Sequence, residues 1–149
     1  MAEEVGEGGK WLEARVGPES FRADIVARQH RLTVDEPESV GGKDAGPTPY
    51  EYLLVAIASC TAMTLRLYAN RKKWPLESVS VFARQGNSHE RDCEKCETED
   101  VGIGEVQLRI ELNGALDDEQ RKRLLEIAAR CPIKQTLKRG IRVTSDGPA

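Results

Sequence analysis

The chain has 149 residues, 39% hydrophobic and 32% charged, with 22 basic and 25 acidic residues and a net charge of −3. This length suits a single domain, residues 1–149, with a core that folds without disulfide staples. The slightly acidic balance argues against nucleic acid as the main partner. We expect no membrane span, because no run approaches about 18 apolar residues. The acidic, glycine-rich residues 1–9 are typical of a flexible tail and not of a secretory signal, so we expect a cytoplasmic protein.

The first third of the chain predicts antiparallel strands. Two stretches of alternating polar and apolar residues, 21–27 and 30–34, follow turn residues at Gly17 and Pro18. Residues 35–49 are rich in glycine, proline and acidic residues, which predicts an irregular loop.

Residues 50–73 predict one long helix, because they contain no glycine or proline and carry two apolar stripes at helical spacing. Adjacent stripes make a wide apolar surface, so we expect a largely buried helix of about six turns. Thr48 can cap its start, and Glu51 lies at its positive end. The two stripes are Leu53, Ile57, Cys60, Thr64 and Leu67, and Leu54, Ala58, Thr61, Leu65 and Tyr68.

The second half of the chain predicts two further strands and a second helix. Residues 78–84 and 103–112 alternate in the manner of strands, and residues 117–120 resemble a capping box. Pro132 would kink or restart the helix that follows, and residues 141–144 predict a last strand. The predicted fold class is therefore α+β, with antiparallel strands packed on two helices.

Two of the four cysteines lie on the apolar faces of the predicted helices. Cys60 is in the middle of the long helix and Cys131 is at the end of the second. Packing of these helices could bring the two sulfurs within disulfide range. A thiolate attacks a peroxide O–O bond and becomes a sulfenic acid, which a nearby thiol converts to a disulfide. Periodicity alone favours the plainer reading, in which both are buried core residues.

Several segments together resemble the OsmC/Ohr family of osmotically inducible protein C and organic hydroperoxide resistance proteins. They are GGKDAGPTPYEYLL at 41–54, CTAMTLRLYA at 60–69, EQR at 119–121 and LLEIAARCPIKQTL at 124–137. The similarity spans roughly residues 20–145. It implies an OsmC-like intertwined homodimer, with active sites at the subunit interface, that reduces organic hydroperoxides with an external dithiol. We expect neither a cofactor nor a bound metal.

The resemblance also implies roles for individual residues. Cys60 would attack the peroxide and Cys131 would resolve the product, while an Arg and a Glu from the loop before the helix hold the reactive thiol. In the family the Glu follows the second proline of the loop directly, whereas here Tyr50 has that place and Glu51 comes next. Glu51 precedes Cys60 by nine residues, which puts the two on opposite faces of a straight helix. Glu51 is therefore either a catalytic candidate or only a carboxylate at a helix N-terminus.

The chain lacks an arginine at the expected glycine-arginine turn, so the activating cation must come from elsewhere. The candidates are Arg28, Arg31 and Lys43, each of which also fits a plain surface charge. We predict Arg28 as the catalytic cation. Without such a cation, the chain would instead be a non-catalytic redox-sensing or ligand-binding dimer with the same fold.

Cys93 and Cys96 form a CxxC motif in a polar segment, with His89 nearby. The segment joins two predicted strands and is predicted as a solvated hairpin loop. Metal binding and redox shuttling are alternatives, but zinc normally needs four ligands and the flanking acidic residues oppose thiol ionisation.

Overall fold

The structure, a computed structural model, describes residues 11–145. The predicted tail, residues 1–9, lies outside the described residues. The chain groups into two compact units. The first contains the described residues up to Leu53 together with Gly86–Gly104, and the second contains Leu54–Gln85 together with the described residues from Glu105 onward. The assignment of the whole chain to one domain stays a prediction.

The first unit contains an antiparallel three-stranded sheet, which confirms the strands predicted near the start of the chain. Neighbouring strands in sequence are neighbours in the sheet. Ile25 is the buried hydrophobic residue of this sheet, and Arg28 occupies the turn that follows with a φ of 57°. A short 3-10 turn follows the sheet at Glu38–Val40. The strands are β1, Glu13–Val16, β2, Ala23–Ala27, and β3, His30–Val34.

The segment predicted as a solvated loop between two strands instead forms a short helix, α2, His89–Lys95. The side chain of Ser88 caps it by accepting a hydrogen bond from the backbone N–H of Arg91 at 3.5 Å. The loop prediction was wrong because it followed charge and polarity. The serine cap and contacts from distant residues stabilise a helix that local composition does not indicate.

The long helix α1, Pro49–Lys72, confirms the central helix. It begins with a capping box, in which the backbone N–H of Thr48 donates to Glu51 Oε2 at 2.8 Å and that of Glu51 donates to Thr48 Oγ1 at 3.2 Å. It is less buried than two apolar stripes predict. In the structure, one stripe of residues four apart is buried and the stripe on the opposite face of the helix is exposed, and both differ from the two predicted stripes. The buried stripe is Ile57, Thr61, Leu65 and Ala69, and the exposed stripe is Val55, Ser59, Met63 and Leu67.

By length and composition α1 could cross a membrane, with 22% of the qualifying window buried. The central helix of a globular protein meets the same criteria, because both environments favour apolar side chains. The buried stripe of α1 packs in the core of the second unit, with Leu65 and Ala69 as members.

The second unit pairs β4, Leu76–Arg84, with β5, Gln107–Gly114, in an antiparallel ribbon. The helix α3, Asp118–Ala128, begins with the predicted capping box at Asp117, and Pro132 starts a separate helix, α4, Pro132–Arg139. The α+β prediction is confirmed. The core of this unit contains Leu65, Ala69, Leu76, Leu116, Leu124, Ile127 and Ala128.

The strand predicted at residues 141–144 does not form, because the segment has no regular structure. Ile141 is 61% exposed and Val143 is 82% exposed. An alternating pattern becomes a strand only where a neighbouring strand accepts its hydrogen bonds, and the described residues offer this segment no such pairing.

Neighbouring leucines on α3 test the packing of the second unit. We expect Leu124→Ala to lower the free energy of unfolding by about 2–5 kcal/mol, because the side chain of Leu124 is fully buried and its loss leaves a cavity. Leu125, which is 51% exposed, is the matched control, and Leu125→Ala should cost less than about 1 kcal/mol. Urea unfolding measures both, and equal losses would contradict this arrangement.

Candidate active site

Cys131 lies between α3 and α4, at the residue that caps α4. Its backbone is extended, with φ −60° and ψ 140°, and Pro132 takes the first helical position. The Cys131 sulfur accepts a hydrogen bond from the backbone N–H of Lys134 at 3.4 Å. Cysteine therefore does here what Ser, Thr or Asp normally does at a helix start. The sulfur lies at the positive end of the helix, where a thiolate is favoured.

The structure brings Cys60 and Cys131 together within the second unit. The side chain of Cys60, on α1, interacts with the sulfur of Cys131 and lowers the pKa of Cys131. The Thr61 hydroxyl lies 3.6 Å from the same sulfur and also donates to the carbonyl of Ile57 at 2.8 Å, so its single proton serves mainly Ile57. Cys131 is fully buried and Cys60 is half-buried. Cys60 is thus the sulfur that a solute reaches first.

Burial and hydrogen bonding act in opposite directions on Cys131. Burial disfavours its thiolate, but hydrogen bonds from the Lys134 N–H, from Thr61 and from Cys60, together with the charge of Lys134, lower the pKa of Cys131.

Lys134 is the cation of this site, and the sequence prediction missed it. Its Nζ donates to the carbonyl of Ala128 at 2.8 Å, which holds the side chain beside the helix junction. Burial lowers the pKa of Lys134, while negative charge on Cys131 and Cys60 would raise it. A sequence signal exists in retrospect. Cys131 followed by proline marks a helix start, and a lysine three residues later lies one turn above the sulfur.

Glu51 and Arg28, the other two predicted site residues, belong to the first unit. The Glu51 carboxylate accepts the Thr48 N–H in the capping box, which fulfils the structural role considered for it. Arg28 is exposed at the turn between β2 and β3. The alternative cations Arg31 and Lys43 are also exposed.

Replacing Lys134 tests the electrostatics of the pair. We expect Lys134→Gln to shift the pH profile of alkylation at Cys131 upward, because the positive charge of Lys134 is one of the causes that lower the pKa of this thiol. The backbone N–H to Cys131 survives the substitution. Lys138→Gln, on the exposed end of α4, is the control and should leave the profile unchanged. Iodoacetamide kinetics resolved by peptide mass spectrometry measure the shift, and overlapping Lys134→Gln and native profiles would remove Lys134 from the site.

Comparison with known proteins places the chain in a family. The sequence model of the family described as OsmC-like protein matches residues 41–146. No curated protein matches the chain by sequence.

Solved structures are similar along most of the chain. An OsmC like protein from Mycoplasma pneumoniae has a TM-score of 0.69 at 20% identity and covers 89% of each chain. An organic hydroperoxide resistance protein OsmC from Legionella pneumophila has a TM-score of 0.63 at 20% identity, covering 88% of this chain and 90% of that one. An organic hydroperoxide resistance protein from Elizabethkingia anophelis has a TM-score of 0.60 at 22% identity, covering 83% of this chain and 84% of that one. These likenesses show a shared fold, and the family match spans most of the sequence, so this chain belongs to the OsmC-like protein family.

Proposed function

We propose that this OsmC-like protein is a thiol-dependent peroxidase that reduces organic hydroperoxides through Cys60 and Cys131. The observation that carries the proposal is that the side chains of Cys60 and Cys131 lie close enough to interact with each other and with Lys134. Some similar structures are named organic hydroperoxide resistance proteins, which supports the choice of substrate class. Defence against oxidative stress in the cytoplasm, where a dithiol reductant is available, is part of the same proposal.

In the proposed reaction Cys60 attacks as the thiolate while Cys131 is still a thiol. Cys60 attacks the outer peroxide oxygen, the O–O bond breaks, and the alkoxide takes a proton to leave as an alcohol. Cys60 is now a sulfenic acid. The Cys131 thiol gives up its proton as it attacks the Cys60 sulfur, the S–O bond breaks, and the departing hydroxide takes that proton and leaves as water, so that a disulfide forms. An external dithiol then reduces this disulfide by two exchange steps and is itself oxidised to a disulfide.

Each residue of the site has a chemical reason for its place. Cys60 is the more accessible of the two cysteines, and its interaction with Cys131 indicates that the second thiol is nearby for the second step. Lys134 favours the negative charge that the attacking pair must carry. Catalytic assistance by Arg28 and Glu51 stays a prediction. Glu51→Gln tests it cleanly, since glutamine preserves the capping box and removes only the charge.

We also propose that the working form is a homodimer, in which a second copy covers the exposed stripe of α1. A helix at the surface of a monomer normally turns polar residues outward, whereas this stripe is mainly apolar. Met63 is 65% exposed and Leu67 is 63% exposed. Both line an open hollow of about 460 Å³ beside Val79 of β4. Cys60 lies on the same helix at the edge of this stripe, so a partner there would help to enclose the thiol pair.

The peroxidase proposal is tested by mixing reduced protein with cumene hydroperoxide or hydrogen peroxide in a stopped-flow instrument. We expect the native protein to react with cumene hydroperoxide at least about tenfold faster than free cysteine, because Lys134 favours the thiolate. Cys60→Ser should abolish the reaction. Cys131→Ser should leave the first step and let Cys60 proceed to sulfinic acid, which mass spectrometry detects.

Two outcomes would count against the peroxidase proposal. A native protein no faster than free cysteine would contradict the peroxidase proposal. A Cys60–Cys131 disulfide that forms slowly and is not turned over by dithiol would instead favour the redox-sensing alternative.

The dimer is tested by a charge placed on the exposed stripe of α1. We expect Leu67→Asp to convert the dimer to a monomer, since burying an unpaired carboxylate in an apolar interface is costly. Light scattering after gel filtration measures the mass. Leu125→Asp, on an exposed position of α3, is the control and should remain dimeric. A native protein that is monomeric at high concentration would contradict the proposal.

A further inference from the structure

The first unit contains a second cysteine site, formed where α2 meets the loop after β3. Glu36 Oε1 lies 2.5 Å from His89 Nδ1, and His89 Nε2 lies 3.4 Å from the sulfur of Cys93. Glu36 is buried, His89 is partly buried and Cys93 is exposed. The three side chains therefore form a line from the interior of the unit to its surface. None of them takes part in the proposed peroxidase reaction.

The order of these groups determines the proton positions. A carboxylate can only accept a hydrogen bond, so Glu36 holds the proton of His89 on Nδ1. In the neutral imidazole the lone pair of Nε2 then faces Cys93 and can take the proton of its thiol. This is the arrangement of an activated nucleophile, in which a base contacts the thiol and a third group orients the base.

Aromatic and acidic neighbours hold the base in place. The ring of Tyr50 contacts the ring of His89 edge-on, with centroids 5.3 Å apart. The Tyr50 hydroxyl donates to Asp92 on the next turn of α2, a bond that raises the pKa of Tyr50 to about 12 and lowers that of Asp92. The hydroxyl thus stays protonated and Asp92 stays ionised over the physiological range. Tyr50 ties α2 to the first turn of α1, both within the same unit.

A second thiol lies within reach of the first. Cys96 follows Cys93 by three residues, and its sulfur donates to the carbonyl of Cys93 at 3.1 Å. Residues three apart on a helix have Cα atoms about 5 Å apart, within the range that a disulfide bridges. Disulfide exchange needs such a second thiol, whereas acyl transfer does not use one. Among residues 11–145, no group of three His, Cys, Asp or Glu side chains is arranged to hold a metal ion.

We propose that Cys93 and Cys96 form a second, independent redox site that reduces external disulfides, with His89 as the base for Cys93 and Glu36 as its positioning residue. His89 takes the Cys93 proton, and the thiolate attacks the external disulfide, forming a mixed disulfide and releasing one thiolate, which is protonated by the imidazolium. The Cys96 thiol then gives up its proton as it attacks Cys93, the Cys93–Cys96 disulfide forms, and the second thiol leaves. Two thiols are oxidised and one external disulfide is reduced to two thiols.

The charges around Cys93 indicate that the Cys93–Cys96 pair reduces external disulfides and does not form them. Partial burial, then negative charge on Cys96, Glu36, Asp92 and Glu90, raises the pKa of Cys93. A thiol held protonated needs a base to react. Thiols of high pKa also form the more stable disulfide, which makes the reduced pair a donor of electrons.

The test follows reaction of the reduced full-length protein with glutathione disulfide, without hydroperoxide. Differential alkylation and peptide mass spectrometry quantify each cysteine separately, so the result is independent of Cys60 and Cys131. We expect an intramolecular Cys93–Cys96 disulfide, and a glutathione adduct trapped on Cys93 in Cys96→Ser. His89→Gln should slow the reaction at pH 7 by at least about tenfold, with a steeper rise toward high pH because the base is lost.

The controls use the other histidine and a neighbouring acid. His30→Gln, on exposed β3, should match the native rate. Glu36→Gln should change the pH profile, whereas Glu38→Gln, on the exposed 3-10 turn, should not. Equal rates for the native protein and His89→Gln would overturn the proposal. Separate glutathione adducts on Cys93 and Cys96 would also overturn it. Cys96 is at an exposed position, so the adduct test with Cys96→Ser can be carried out even if His89→Gln unfolds.

Discussion

The thiol pair depends on the helix cap at Cys131. Pro132 cannot continue α3 and is suited to the first turn of α4, so the chain turns at Cys131 and starts a new helix. The sulfur then accepts a hydrogen bond from the backbone N–H of Lys134, and the side chain of Cys60 interacts with it. The same turn places the Lys134 side chain beside both thiols. The break between α3 and α4 at Cys131 thus provides a buried sulfur, its hydrogen-bond donor and its cation.

Tyr50 and Glu51, the two residues after the second proline of the loop, stabilise the first unit. Glu51 closes the capping box of α1, and Tyr50 ties α2 to that helix through Asp92. This accounts for the departure from the family pattern at these positions in physical terms. The place where the family carries a glutamate here carries an aromatic residue that also contacts His89. The chain therefore carries two cysteine pairs, one beside Lys134 and one beside His89, and we propose a separate redox reaction for each.

The long helix has two opposite apolar surfaces, and one chain buries only one of them. Residues two positions apart on a helix point about 200° apart, so the stripe that contains Leu65 and the stripe that contains Leu67 cannot face the same core. Leu65 is fully buried, whereas Leu67 is largely exposed. The hydrophobic effect favours covering the outer stripe, which is the physical basis for proposing a second copy there.

The α+β class, α1, the strands of the first sheet and the capping box at Asp117 all follow from local pattern, because periodicity and capping residues act over a few neighbours. The same patterns put Cys60 and Cys131 on the predicted helices, and their catalytic roles, which the family resemblance implies, stay a prediction. Three features depended on contacts between distant residues: the helix at His89–Lys95, the absence of a strand after Gly140, and the position of Lys134. A helix held by Tyr50, a strand that needs a partner and a lysine that lies near Cys60 are decided by tertiary packing, since short-range pattern contains no information about which remote groups will meet.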